Sequence, residues 1–106
     1  MEIEFLHRKE QKTYESSKDL ARKYGPKQAI KIIQRINELQ AAESLADIKN
    51  LPQARLHPLH SNLEGCFAVD LMHPYRMVLF PLGDFNPTDL TSIKKIQIRQ
   101  IYDDYH

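Results

Sequence analysis

The feature that most constrains this chain is a change of hydrophobic period partway along it. In residues 26–42, Ala29, Ile32, Ile33, Ile36 and Leu39 recur at i, i+3, i+4 and i+7, the signature of a helix with one apolar stripe. In residues 65–71, Phe67, Val69 and Leu71 alternate with Cys66, Ala68 and Asp70, the period of a strand. A chain that turns from helical to strand period once keeps its helices apart from its strands. That predicts an α+β domain with a largely antiparallel sheet.

The remaining elements follow the same reading. Residues 2–7 alternate acidic and apolar and predict a first strand. Tyr14, Ser17, Leu20, Ala21 and Tyr24 predict a helix over 13–24, which Gly25 ends and Pro26 follows by starting the next. Lys27, Lys31, Arg35 and Glu38 are placed on the outer side of the 26–42 helix, a solvated face or a surface for a polyanion or partner. Ser44 with Asp47 three residues on resembles a capping box opening a short turn. Residues 55–59 predict a strand that Pro58 restricts to an edge. Residues 75–82 return after a tight His73-Pro74 turn, 83–91 form a loop, and 93–102 make the last strand.

A length of 106 residues fits a single domain, 1–106, that can form a core without staples. No run of about 18 apolar residues predicts a membrane span. The N-terminus lacks a signal-peptide pattern, and Cys66 is the only cysteine, so the expected setting is a reducing cytoplasm. Cys66 reads as a small buried hydrophobe, because no base is identifiably placed for it. The net charge is only +1. Residues 1–50 hold ten Lys/Arg against eight Asp/Glu, and 51–106 hold five against six. Four of the five histidines (His57, His60, His73 and His106) lie in the second half, so a cationic site there depends partly on imidazole protonation. By charge alone the chain is not an evident nucleic-acid binder.

Three patterns carry a resemblance: Leu56-His57-Pro58-Leu59-His60 before a glycine-containing hairpin, the Tyr75-Arg76 pair opening the next strand, and the terminal Asp104-Tyr105-His106. In this order, behind two helices, they resemble the HigB branch of the RelE/ParE toxin superfamily, along nearly the whole chain. The resemblance implies an N-terminal strand and two helices packed on a mainly antiparallel sheet of four to five strands. It implies the toxin of a type II toxin–antitoxin system, with a helix-turn-helix HigA-like antitoxin as partner. It also implies cleavage of mRNA on the ribosome without metal or other cofactor. ParE-type relatives keep the fold but inhibit DNA gyrase and lack the nuclease residues, so a non-nucleolytic inhibitor or a catalytically decayed binding protein is the alternative.

Metal-free RNA cleavage needs a base for the ribose 2′-OH, cations for the phosphorane and an acid for the leaving 5′-oxygen. By resemblance, His57 and His60 are the proton-transfer candidates, Arg76 the phosphate clamp, and Tyr105 with His106 the substrate-orienting groups. Each has a plainer reading: His57 bonded to backbone, His60 exposed where the family usually has lysine, Arg76 salt-bridged, and the terminal aromatics frayed. The two histidines three apart find no carboxylate or thiol at suitable spacing to complete a metal site. His73, in a turn, reads as exposed. Asp70 stands on a strand where the family often has arginine. A two-residue turn would place Leu71 opposite Arg76, and a three-residue turn would place Asp70 there.

Overall fold

The structure, a computed structural model, describes the backbone of residues 1–103 and the side chains of residues 1–101. Strand β1 (Glu2–Phe5) is followed by helices α1 (Arg8–Tyr14), α2 (Ser17–Tyr24), α3 (Pro26–Ala41) and α4 (Leu45–Lys49). Strands β2 (His57–Pro58), β3 (Phe67–Asp70), β4 (Tyr75–Pro81) and β5 (Lys95–Asp103) complete the fold, with 3₁₀ turns at Ser61–Leu63 and Leu90–Ser92. Among the described residues, no helix is long and apolar enough to cross a membrane.

The helix expected over 13–24 is two helices. Ser16 takes an extended conformation (φ −121°, ψ 110°), and its hydroxyl accepts from the Asp19 N–H at 3.2 Å. That bond satisfies one of the orphan donors of a new helix and so restarts the chain. The polar run Lys9–Lys12 lies within α1. Gly25, at φ 89°, closes α2 through its N–H to the Ala21 carbonyl (2.9 Å) and opens α3, with Pro26 in the first turn. This is a conformation that residues with a side chain rarely adopt. Ser44 caps α4 by accepting from the Ala46 N–H, while Asp47 accepts from the Glu43 N–H at 2.8 Å, a capping exchange shifted from the expected spacing.

The sheet is five-stranded in the order β1-β5-β4-β3-β2. All neighbours are antiparallel except β1 and β5, which run parallel with Glu2 beside Lys95 and Phe5 beside Ile98. Lys95 Nζ reaches Glu4 at 3.0 Å and Glu2 at 3.6 Å, so opposite charges line this pairing. The strand expected over 55–59 shrinks to two residues, because Arg55 has φ 45° and Pro58 has no N–H to donate. A bulge on β5 sets Leu79 opposite Ile98 but Val78 opposite Gln100, leaving Arg99 as the extra residue.

The helices cover one face of the sheet. Leu20, Ile32, Leu39, Leu45 and Ile48 pack with Val69, Met77, Leu79, Ile96 and Ile98, all at most 1% exposed. The residues that alternate with these sheet positions point the other way, onto the face the helices do not cover, where Ala68 and Val78 are nonetheless fully buried. They include Ala68, Asp70, Arg76, Val78, Phe80 and Gln97.

Arg35 departs from its expected place on the outer side of α3. It is 3% exposed. Its Nε donates to the Asp70 carbonyl and its Nη2 to the Gln53 carbonyl, both at 2.7 Å, and Nη1 meets Glu38 at 3.2 Å. Gln28, two turns earlier on the same side, exchanges two hydrogen bonds with the Met72 backbone, donating at 3.3 Å and accepting at 2.9 Å. A stripe of apolar residues shows where a helix meets a core but not where its polar flank meets the carbonyls of a loop. Gln28→Ala should therefore cost about 1–3 kcal/mol, read by thermal unfolding, because the Met72 N–H and carbonyl lose both partners. A change below the error of the measurement would mean that the clamp is idle.

Candidate phosphate-binding site on the open sheet face

The open face is organised in rows across the strands. His57 pairs with Ala68, which pairs with Val78; in the next row Asp70 pairs with Arg76. This register settles the turn length. Leu71 donates to the Tyr75 carbonyl at 3.1 Å and Tyr75 to the Met72 carbonyl at 2.8 Å, so Met72, His73 and Pro74 form a three-residue loop. Asp70, not Leu71, stands opposite Arg76.

The left-handed backbone at Arg55 turns the chain so that both its side chain and its carbonyl reach the site. Arg55 Nε donates to Asp70 Oδ2 at 2.6 Å, and the Arg55 carbonyl lies 2.7 Å from His57 Nδ1. Arg76 Nη1 donates to His57 Nε2 at 2.7 Å. A guanidinium can only donate and a carbonyl can only accept. The His57 ring is therefore neutral here, with its proton on Nδ1 and its Nε2 lone pair turned to Arg76. Asp70 Oδ1, buried and with no hydrogen bond among the described residues, faces Arg76 Nε at 3.9 Å. Two guanidinium groups thus flank one carboxylate, which leaves the trio net cationic. A hollow of about 50 Å³ opens between Arg55, Asp70, His73, Tyr75 and Arg76. A larger groove of about 430 Å³ between β1, α1 and α3 is lined mainly by apolar and amide side chains. It lacks the convergent cations that this chemistry needs.

Of the residues marked in the sequence, the fold brings His57 and Arg76 into direct contact. His60 is exposed at the start of the Ser61–Leu63 turn and makes no hydrogen bond to either of them among the described residues. Tyr105 and His106 lie outside the described residues. His73 is exposed, as its turn position predicts. Among the described residues, no three His, Cys, Asp or Glu side chains come together as metal ligands. Cys66 is buried, and burial pushes its thiol above the ordinary value while the Arg99 charge pulls the other way, which keeps it a poor nucleophile.

Arg55, Phe80 and Arg99 were not singled out by sequence reasoning. Arg55 stands two residues before His57 but outside β2 and at φ 45°, so strand alternation does not predict its place. For Arg99 the alternation with Ile96 and Ile98 gave the face. Its neighbour Phe80 depends on the bulge, which has no local signature.

No family model matches the chain, and no curated protein matches it in sequence. Its fold does match a solved structure, a YoeB/ParE toxin from Agrobacterium tumefaciens. The TM-score is 0.57 at 16% sequence identity, over 99% of this chain and 100% of that one. At this identity the likeness establishes a shared α+β fold and leaves the chemistry to the residues themselves.

Proposed function

We propose that the chain is the toxin of a type II toxin–antitoxin system, of the HigB-like kind, and that it cleaves mRNA on the ribosome. The observation that carries this reading is the 2.7 Å contact between Arg76 and His57 on the open sheet face. It supports a reading in which a guanidinium fork and an imidazole serve one scissile phosphate. An incoming phosphate competes for the Arg76 fork, which can hold two of its oxygens. As Arg76 turns to the phosphate, the His57 Nε2 lone pair becomes free to take the 2′-OH proton. The 2′-oxygen then attacks phosphorus, a 2′,3′-cyclic phosphate forms, and the 5′-oxygen leaves with a proton from an acid. His60, Tyr105 and His106 are the candidates for that acid or for orienting the substrate. The Arg55 carbonyl keeps His57 in the productive tautomer. Arg55 offsets the Asp70 charge that would otherwise repel the phosphate. A helix-turn-helix antitoxin, the ribosome and mRNA are the partners in this reading, and the cytoplasm is its place.

A second reading has support from Asp70. Its carboxylate sits opposite Arg76 and draws on the charge that a phosphate would use. That favours a non-nucleolytic inhibitor, of DNA gyrase as in ParE-type proteins, or a decayed toxin that only binds. Induced expression followed by mapping of mRNA ends separates the two. Cuts inside translated codons that disappear with Arg76→Ala and with His106→Ala are expected. Growth arrest without cuts, unchanged by those substitutions, would sink the nuclease.

A further inference from the structure

Arg99 differs from the arginines of the site. It is the bulge residue of β5, so it and Gln100 both turn to the open face between core-packed Ile98 and Ile101. Its Cζ lies 4.2 Å from the centroid of the Phe80 ring, and its Nε donates to Gln97 Oε1 at 2.9 Å. Gln97 is itself the cross-strand partner of Phe80. A bulge, a ring and an amide therefore hold one guanidinium in place. Its terminal nitrogens make no hydrogen bond or ion pair among the described residues, whereas Arg22, Arg35, Arg55 and Arg76 all meet carboxylates. Arg99 and Phe80 are both partly exposed. Phe80 is four residues along β4 from Arg76, about 13 Å at strand rise.

We propose that the Phe80–Arg99 stack is a nucleobase platform, on which a base of single-stranded RNA lies against the outer plane of the Arg99 guanidinium while a nearby phosphate is held at Arg76. This rests on the RNA-cutting reading above and adds a subsite to it. Bases of unpaired RNA stack on aromatic rings and on arginine planes, since every base has a π face. A guanidinium already fixed by its ring and by Gln97 loses little freedom when a base covers it, so the binding energy is not spent on ordering it. A cation meant only to neutralise phosphate would need no such support.

The test uses a short 2′-O-methyl oligoribonucleotide, which cannot be cut, and fluorescence anisotropy with the full chain. Arg99→Lys keeps the charge and removes the plane; Phe80→Leu keeps the bulk and removes the ring beneath. Each should weaken binding roughly tenfold. An abasic oligomer with the same phosphates should bind wild type and Arg99→Lys equally. Thermal unfolding of each variant checks that the fold is kept. Unchanged affinity of Arg99→Lys for the base-bearing oligomer, or an equal loss on the abasic one, would overturn the platform and leave Arg99 a plain phosphate contact. A nuclease site that fails instead shows in Arg76→Ala, which would then bind as wild type does. No binding by the wild-type chain would overturn the platform, whereas the nuclease reading falls only if ribosomes programmed with mRNA show no cuts.

Discussion

On the proposed nuclease reading, Arg76→Lys should lower mRNA cleavage by roughly 10²–10³-fold while leaving the chain folded, because it keeps the charge and removes the fork. In the resting site Arg76 donates to His57 Nε2 through Nη1 while its Nε faces Asp70 Oδ1. A planar guanidinium can address a carboxylate, an imidazole and a phosphate from fixed directions. An ammonium is a point charge and cannot hold two phosphate oxygens in one geometry. The side chain is only 20% exposed, so its position is set by packing and not by a long search through solvent. The measurement is the rate at which cut ends accumulate on ribosomes programmed with a defined mRNA. His57→Ala should cost a comparable factor, and the double variant little more than either single one, since the two groups act on the same proton and phosphate. Full activity in Arg76→Lys, or fully additive losses, would mean that Arg76 and His57 do not work as a unit.

The change of period announced the α+β class, the α3 stripe and the β3–β4 hairpin, because those signals are local and repeat several times. His57 and Arg76 were also marked, though as separate candidates. Their contact depends on a register in which Asp70, not Leu71, faces Arg76, and that follows from a loop of three residues where two were equally open. The parallel pairing of β1 with β5 joins the two ends of the described chain, and alternation within β1 says nothing about which strand lies beside it. The break at Ser16 was missed because the apolar spacing runs through it; the cap residue overrode the period. Arg99 was passed over for a different reason. A polar residue alternating with isoleucines reads as solvated, and only a bulge puts its charge over a ring.

Arg35 shows where stability and the site are joined, and its loss is the largest effect on folding expected here. Arg35→Met should cost about 3–5 kcal/mol, of a total that for a small domain is about 5–15 kcal/mol. The methionine fills most of the space but leaves the Asp70 and Gln53 carbonyls without their donor and Glu38 without its nearest cation. The penalty is that of stranding part-buried acceptors, not of losing a favourable ion pair. Arg22→Ala is the control. Its partner Asp19 is 3.8 Å away and both side chains are at least half exposed, so its effect should stay within about 1 kcal/mol. Urea unfolding with a common slope measures both. Because the two carbonyls held by Arg35 belong to Gln53 and Asp70, they anchor the backbone on either side of the Arg55–Asp70 pair. A variant that stays folded at low temperature should therefore also loosen Arg55 and His57. On the nuclease reading it should cleave more slowly than its folded fraction predicts. If Arg35→Met proved no more damaging than Arg22→Ala, the buried guanidinium would be a passenger, and the geometry of the open face would have to be held by the sheet alone.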